Sequence, residues 1–267
     1  MTTPFTSVDA ALLEAGRVRA SLDGPVLTVT LDRPEARNAQ TPATWRALAA
    51  VGEAVPRDVQ VVVLRGAGAS FSAGLDRAML SPGGIPGEPS LADLVAAGED
   101  RTVTAIAEYQ RAFTWWHRVD AVTVAVVRGH AVGAGFQLAL ACDLRVLADD
   151  ARLSLREVQL GLVPDLGGTK PLVELVGKAR ALEIAATGRW VDAAEAERIG
   201  LANAVVGTDA LDDAVGDLVA SLLAPPAGAV RAVTSLLRDA ATRTADEQLA
   251  AERTAQAARL RDLAGLS

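Results

Sequence analysis

Short runs of apolar, mostly β-branched residues are spread through the first 150 residues and alternate with patterns typical of helices. Five runs predict strands, at residues 18–22, 26–31, 61–64, 122–127 and 144–147. Asp23 and Gly24 lie between the first two runs and predict a hairpin turn. Thr41 followed by Pro42 predicts a helix start, because a threonine hydroxyl can cap a helix and proline suits its first position. Strands that alternate with helices are typical of a parallel sheet, so the pattern predicts an α/β fold.

The helical pattern lengthens along the chain and dominates it after Gly161. Helices are predicted near residues 102–119, 169–176, 178–187, 193–199, 210–223, 230–240 and 245–263. Prolines and glycines between residues 81 and 89 predict a mobile loop, and the wider segment 77–101 carries no interpretable pattern. We therefore predict a core over residues 1–200 and a helical cap or oligomerisation region over residues 201–267.

Charge and composition exclude several classes of protein. The net charge of −7 and the isoelectric point near 5.0 argue against a nucleic-acid surface, which needs a basic patch to displace counterions. No apolar run approaches ~20 residues, so we expect no membrane span. The N-terminus lacks the pattern of a signal peptide, and the single cysteine, Cys142, suits a reducing compartment. Both features predict a cytoplasmic protein.

The segment 128–144 carries the most informative candidate chemistry. It follows the predicted strand at 122–127 and reads Arg-Gly-His-Ala-Val-Gly-Ala-Gly-Phe-Gln-Leu-Ala-Leu-Ala-Cys-Asp-Leu, a glycine turn that opens an alanine-rich helix. The first N–H groups of a helix have no intrahelical partner, and glycine lets a ligand approach them closely. The turn therefore suits an oxyanion, either a phosphate or an enolate.

Other familiar motifs are incomplete in this chain. Leu138 stands where a dinucleotide-binding fingerprint needs glycine or alanine, and the Gly-Gly-Thr-Lys run at 167–170 has the wrong spacing for a P-loop. The segment 68–72 lacks the second glycine of a hydrolase nucleophile elbow. With two histidines and one cysteine, a zinc site would depend on carboxylates, so we predict no metal.

Several segments together resemble the enoyl-CoA hydratase/isomerase (crotonase) superfamily. They are Leu-Asp-Arg-Pro-Glu-Ala-Arg-Asn-Ala at 31–39, Phe-Ser-Ala-Gly-Leu-Asp at 71–76, the glycine turn, and the helical segments 177–188 and 193–202. They follow the family's order over residues 18–206. The resemblance implies a crotonase (ClpP-like) fold of repeated β-β-α units with a C-terminal helical trimerisation region. It also implies an acyl-CoA substrate, with coenzyme A as part of that substrate and no other cofactor.

The resemblance also implies which residues act on the thioester. It puts two backbone N–H donors for the thioester oxygen at Leu75 and Ala134, where they would stabilise a developing enolate. It puts the acid/base glutamate at Glu157, whereas Gln137 occupies the place of the hydratases' other glutamate. Glutamine can orient water or substrate but cannot accept a proton at neutral pH. Asp165 matches an aspartate of the dienoyl-CoA isomerases, or it is a turn residue that caps the following helix.

Contacts with coenzyme A follow from the same resemblance. The residues implied on that side are Ala36, Arg37, Ala73, Asp76 and Gly133, with Arg33 and Arg77 as candidates to neutralise phosphates. His130, next to the glycine turn, is expected to be structural.

The reaction and the assembly are predicted at a coarser level. Hydration and double-bond isomerisation use the same residues, so both stay open. A non-catalytic acyl-CoA-binding homologue is supported by Gln137 and opposed by Glu157, and a thioesterase would use Glu157 or His130 to activate water. Apolar residues after Asp209 exceed what a small cap would bury, which predicts an interface. The resemblance implies a homotrimer or a hexamer.

Overall fold

A seven-stranded mixed sheet forms the centre of the computed structural model, which describes residues 2–81 and 83–265. The strands are β1 (Thr3–Pro4), β2 (Val18–Asp23), β3 (Val26–Leu31), β4 (Val61–Gly66), β5 (Val122–Val127), β6 (His130–Val132), β7 (Leu144–Ala148), β8 (Arg152–Ser154), β9 (Val191–Asp192) and β10 (Ala204–Val206). The main sheet has the order β1-β2-β3-β4-β5-β7-β10, antiparallel up to β3 and parallel from there on. A separate small sheet has the order β6-β8-β9.

Helices flank the sheet and follow it along the chain. They are α1 (Ala10–Gly16), α2 (Pro42–Ala54), α3 (Leu91–Ala96), α4 (Glu99–Thr114), α5 (Ala134–Leu140), α6 (Thr169–Val176), α7 (Lys178–Thr187), α8 (Ala193–Arg198), α9 (Leu211–Leu223), α10 (Ala227–Ala240) and α11 (Ala245–Leu263). Short 3₁₀ turns include Pro34–Ala36, Arg77–Leu80 and Glu157–Leu160. A mixed sheet with flanking helices confirms the predicted α/β class.

The central strands are apolar on both faces because both faces of the main sheet are covered. In β4, Val62 and Leu64 pack into the larger buried cluster, together with residues of α2, α4 and α5. Val61 and Val63 point the other way and pack into a smaller cluster with residues of α9. A strand that is buried on both faces needs no polar alternation, which explains the valine runs of the sequence.

Helix α2 begins as its sequence predicts. The Thr41 side chain accepts a hydrogen bond from the N–H of Thr44 (3.3 Å), and Pro42 is the first helical residue. Trp45 and Leu48 lie on the buried face of the helix. Local signals therefore suffice for this element.

The segment between β4 and β5 differs from the sequence expectation in two places. Helix α3 lies in the part of the segment 77–101 that carried no recognised pattern. Ser90 and Asp93 cap it reciprocally, and this Ser-x-x-Asp spacing is a local signal of a helix start. Helix α4 begins at Glu99 rather than near residue 102, directly after Gly98 at φ +92°, and it ends at Thr114 rather than near residue 119. The residues described between 81 and 89 form turns and bends, and their mobility stays a prediction.

Residues beyond position 200 contribute to the main sheet as well as to a helical region. Strand β10 pairs with β7, and α9 buries Leu211 and Val215 against the sheet. No residue of α10 or α11 is buried. The predicted division at residue 200 therefore separates β10 from the sheet to which it belongs, and the domain assignment itself stays a prediction.

One composition-based expectation concerns membranes. None of the described helices is by itself long and apolar enough to cross a membrane. The helical segments Thr208–Leu223 and Ala227–Ala240, which meet at a bend of 103°, pass that test as a pair, by length and composition only.

Candidate active site

The small sheet brings the glycine turn and Glu157 together. Strand β6 runs parallel to β8, with Val132 opposite Ser154, and the N–H of Gly133 donates to the carbonyl of Ser154 (2.9 Å). Because parallel strands end at the same edge of a sheet, the residues that follow them lie close together. A Cβ atom at Gly133 would lie 3.4 Å from Oε1 of Glu157. The sheet therefore sets the glycine turn directly against this carboxylate.

The loop after β4 packs against the other side of the glycine turn. Ser72 forms a bridge with Ala131 of β6. A Cβ atom at Gly74 would lie 2.4 Å from the carbonyl oxygen of Val132, and the backbone there has φ +85°. Only glycine meets both requirements, so this residue lets the two loops come into contact.

The backbone N–H groups of Leu75 and Ala134 take no part in the hydrogen bonds of the residues around them. Leu75 lies opposite Gln40 in a parallel bridge, and the two bonds of that bridge use the carbonyl of Gly74 and the N–H of Asp76. Ala134 is the first residue of α5, so its N–H has no intrahelical acceptor. Within the described chain, neither N–H donates to another group. Both groups are thus available for the oxyanion role, which stays a prediction.

Buried polar side chains beneath the loop were not singled out from the sequence. Asn38 donates from Nδ2 to the carbonyls of Ala67 (2.9 Å) and Ser70 (2.8 Å). The hydroxyl of Ser72 donates to the carbonyl of Asn38 (2.8 Å) and accepts from Nε2 of Gln40 (3.0 Å). These bonds hold the loop in place. The Arg-Asn-Ala run at 37–39 was the available sequence signal: it indicates that Asn38 matters but not which groups it contacts.

Glu157 starts the 3₁₀ turn after β8 and is partly buried. Its Oε1 accepts a hydrogen bond from Nε2 of Gln137 (2.7 Å), while Oε2 is buried with no partner among the described residues. Burial raises the pKa of the Glu157 carboxyl; hydrogen bonds from its own backbone and from Gln137 oppose this rise, and the charge of Asp165 adds to it. A carboxyl with a raised pKa and one free oxygen suits reversible proton transfer.

Gln137 is fully buried, and both ends of its amide bond to the protein. Oε1 accepts from the N–H groups of Leu166 (2.9 Å) and Gly168 (3.2 Å), so Nε2 is the end that donates to Glu157. The amide thus ties the catalytic candidate to the segment before α6. The sequence suggested that Gln137 orients water or substrate. Among the described residues, its amide contacts Glu157 and the segment before α6. A contact with water or substrate stays a prediction.

Asp165 lies on the wall of the same cavity as Glu157. Burial raises the pKa of the Asp165 carboxyl. Gln110 donates to the backbone carbonyl of Asp165 (2.6 Å), which holds the segment in position. The N-cap of α6 is Gly168, without a side-chain cap. The interpretation of Asp165 as a capping residue is therefore wrong, because its carboxyl does not reach the free N–H groups of that helix.

A cavity of about 660 Å³ contains these groups. Glu157, Gln137 and Asp165 line it beside the glycine turn and Leu75. The rest of its wall is mainly apolar and includes Trp45, Met79, Leu80, Leu91, Leu94, Val95, Ile106, Tyr109, Leu160, Leu162, Val163, Leu166 and Trp190. An apolar cavity with a few polar groups at one place is typical of a small-molecule site.

Three of the residues expected on the coenzyme A side lie close together, although they come from two segments of the chain. Ala36 ends the first 3₁₀ turn, and Arg37, which follows it, is exposed and has φ +50°. The N–H of Ala73 donates to the carbonyl of Arg37 (2.8 Å), so these residues are neighbours in the structure. Their contacts with coenzyme A stay predictions.

Arg33 and Asp76 pair with each other. Nη1 of Arg33 lies 2.5 Å from Oδ2 of Asp76, whose other oxygen accepts from the N–H of Ala78 (2.9 Å). Burial alone would raise the pKa of Asp76, but these two hydrogen bonds outweigh it and lower the pKa. The charge of Arg33 is thus balanced within the protein, whereas Arg77 is exposed at the cavity wall. The phosphate contacts of both arginines stay predictions.

His130 packs beside the cavity rather than on its wall. Its ring meets Trp190 edge-on at 5.7 Å, and the guanidinium of Arg156 lies 4.5 Å from the centre of the Trp190 ring. These contacts agree with the structural role expected of His130.

Comparison with known families follows from this fold and site. The family model for enoyl-CoA hydratase/isomerase matches residues 22–262. The chain therefore belongs to the enoyl-CoA hydratase/isomerase family, as the sequence segments indicated. This match extends well past residue 206, where the resembling segments end.

Individual relatives agree with this assignment. A candidate enoyl-CoA hydratase from Thermobifida fusca YX, solved in complex with CoA, is 48% identical, with a TM-score of 0.91 over 97% of this chain and 99% of that one. A probable enoyl-CoA hydratase of Mycobacterium tuberculosis is 34% identical over 71% of this chain and 68% of its own length. A carnitinyl-CoA dehydratase of Citrobacter koseri is 34% identical over 80% and 77%. The structural match confirms the predicted crotonase-type fold.

Proposed function

We propose that the protein transfers a proton at the carbon chain of an acyl-CoA thioester, with Glu157 as the acid/base. The observation that carries the proposal is the carboxylate of Glu157, which has one oxygen anchored by Gln137 and the other buried and free. It lies against the glycine turn, where the N–H of Ala134 and that of Leu75 are available for a thioester oxygen. The family assignment and the solved relative with bound CoA support a coenzyme A thioester as substrate.

Double-bond isomerisation is the reaction that this single anchored carboxylate supports best. Glu157 takes a proton from C2 of a 3-enoyl-CoA, and the electron pair of the C–H bond moves into a dienolate. The N–H groups of Leu75 and Ala134 hold the negative oxygen, a contribution of ~3–4 kcal/mol for a well-placed donor. The protonated Glu157 then returns the proton to C4, the double bond settles between C2 and C3, and the carboxylate is restored.

Hydration of a 2-enoyl-CoA is the second candidate. It is favoured by the names of the relatives and by Asp165, a second carboxyl on the wall of the same cavity. Hydration must add hydroxide at C3 and a proton at C2, so two groups share the work. Gln137 supplies no second base, because its amide cannot accept a proton at neutral pH. In this version Asp165, with its raised pKa, assists Glu157.

Incubation of the purified protein with three thioesters tests the proposal. A 3-enoyl-CoA, crotonyl-CoA and a saturated acyl-CoA are each incubated, and the products are identified by mass spectrometry and chromatography. Isomerase activity converts the first without a change of mass, hydratase activity adds water to the second, and a thioesterase releases free acid from the third. Binding without any product would favour the non-catalytic homologue and overturn the proposal.

We also propose that the protein assembles as a homotrimer or a hexamer. Leu218, Leu222 and Val230 pack partly within the protomer, but Val233 and Leu237 of α10 are 54% and 69% exposed. Exposed apolar residues on a helix without buried positions favour an interface with another copy. Light scattering at micromolar concentration checks this, and a stable 27.5 kDa monomer would contradict it.

A further inference from the structure

The apolar wall of the active-site cavity continues outward to the protein surface. Close to the core, the cavity is lined by Trp45 and Met79, which are 4% and 5% exposed. At the surface it is lined by five large apolar side chains that solvent reaches, which we call the apolar rim: Leu91, Val95, Leu160, Val163 and Trp190. Their exposed fractions run from 39% to 72%. Apolar side chains thus line the cavity from the core to the surface, beside the polar groups around Glu157.

The apolar rim is built from separate segments that face one opening. Leu91 and Val95 belong to α3, whereas Leu160 ends the 3₁₀ turn that begins with Glu157 and Val163 follows shortly after. Exposed apolar residues that lie singly on a protein need no explanation, but several around one opening mark a binding surface. The rim therefore calls for an apolar occupant.

The occupant is the tail of the substrate, because the rim and Glu157 line the same cavity. An acyl group whose reacting carbons lie at Glu157 has its remaining carbons directed along this apolar wall. The charged groups on the cavity wall, two carboxyls and two arginines, do not belong to the rim: they are Glu157, Asp165, Arg77 and Arg156. The rim consists of apolar side chains and therefore suits an uncharged tail.

We propose that the acyl group of the natural thioester is an uncharged hydrocarbon chain that reaches from Glu157 to the apolar rim, well beyond four carbons. This inference rests on the proposed function, since it takes an acyl-CoA as the ligand. It adds the length and the polarity of the acyl group.

Calorimetry with saturated thioesters tests the inference independently of turnover. Butanoyl-, octanoyl- and dodecanoyl-CoA are titrated below their micelle concentrations into the wild-type protein. Burial of one methylene contributes about 0.8 kcal/mol, or up to ~4-fold in affinity, so we expect dodecanoyl-CoA to bind at least ~100-fold more tightly than butanoyl-CoA. Equal affinities for the three would overturn the inference.

Matched valine substitutions locate the tail. Val95 on the rim is 72% exposed, and Val103 on α4 is 60% exposed but does not line the cavity. We expect Val95→Asp to weaken dodecanoyl-CoA about tenfold and to leave butanoyl-CoA unchanged. Val103→Asp is the control and should alter neither, and Val163→Asp should act like Val95→Asp.

The remaining outcomes separate the inference from the proposed function. If no acyl-CoA of any length binds, the proposed function itself fails. If butanoyl-CoA binds and a short 3-enoyl-CoA or crotonyl-CoA reacts, but Val95→Asp and Val163→Asp leave long-chain affinity unchanged, only the inference fails. A change of oligomeric mass in these two variants, with unchanged long-chain affinity, would assign the rim to a contact between copies and would also overturn the inference.

Discussion

The two walls of the cavity are built in contrasting ways. On the inner wall, Glu157 and Gln137 are held by short hydrogen bonds, and the loop that carries Leu75 rests on a buried polar network. On the outer wall, the described residues of the segment 77–96 include exposed apolar side chains and form two short helical elements. Proton transfer requires fixed distances, whereas a hydrocarbon tail requires only apolar area, so each wall has the construction that its proposed task needs.

The outer wall is nonetheless attached to the core at one charged point. Glu88 has only 9% of its side chain exposed, and it pairs through both oxygens with the guanidinium of Arg46 on α2, with one contact of 3.0 Å. The aromatic ring of Tyr109, which contacts Trp45 at a tilt of 49°, lies next to this pair, and both rings line the cavity. This ion pair therefore ties the chain before α3 to α2, close to the cavity.

The largest expected effect is on the inner wall. Replacing Glu157 with glutamine removes the proton acceptor but keeps the size of the side chain. We expect turnover to fall by ~10²–10⁴ while the affinity for a saturated acyl-CoA changes little, because a positioned general base contributes that much to the rate. Steady-state kinetics and calorimetry measure the two quantities.

Asp165→Asn is the matched control for this prediction. If isomerisation is the reaction, this variant keeps most of its activity. Wild-type turnover in Glu157→Gln would remove Glu157 from the mechanism and make Asp165 the candidate base.

A smaller effect is expected when the inner wall gains a second carboxylate. In Gln137→Glu, one oxygen still accepts from Leu166 and Gly168, and the other faces Glu157, so the two carboxyls share a proton. This arrangement provides an acid and a base together. We expect the ratio of hydration to isomerisation to rise about tenfold, measured from the products of crotonyl-CoA and a 3-enoyl-CoA.

Gln137→Leu serves as the control, since it also loses the amide donor to Glu157 but adds no carboxyl. An unchanged product ratio in Gln137→Glu would mean that the second position takes no part in the reaction.

A change on the outer wall should affect motion more than chemistry. Glu88→Gln weakens the ion pair between the buried Glu88 carboxylate and Arg46, so we expect amide hydrogen exchange in residues 83–96 to accelerate about fivefold, a loss of roughly 1 kcal/mol. Turnover should stay within about twofold. Glu53→Gln is the control, because Glu53 pairs with Arg111 at a position where both side chains are more than half exposed. Equal exchange in both variants would show that the Glu88 pair does not hold the wall.

The smallest effect is a pH dependence of stability at the inner wall. Burial raises the pKa of Glu157 in the folded protein, so folding favours the protonated form, and the free energy of unfolding decreases as the pH rises through the folded pKa. The Glu157→Gln variant does not lose stability in this way, because glutamine does not ionise. We expect its melting temperature to exceed that of the wild type by a few degrees at pH 8, and the difference to shrink toward pH 4. A difference that is constant with pH would contradict the raised pKa.

Local sequence signals predicted the elements but not the contacts between distant residues. The valine runs, the Thr41 cap of α2 and the glycine turn predicted strands, a helix start and an oxyanion site, since each depends on neighbouring residues. The family motif indicated the position of Glu157. Helix α3 was missed, although the spacing of Ser90 and Asp93 contained its signal.

What the sequence by itself determined was the α/β fold and the family, because periodicity, caps and motif spacing depend on residues near one another in the chain. It also indicated the position of Glu157, the proposed acid/base. Only the tertiary structure decided which distant residues of the site form hydrogen bonds with one another. Gln137 is 20 residues from Glu157 and 31 residues from Gly168 in sequence, and it forms a hydrogen bond with each. Gln137 and Glu157 meet because β6 and β8 end at the same edge of the small sheet. The same holds for the apolar rim, whose members come from segments that only folding brings to one opening.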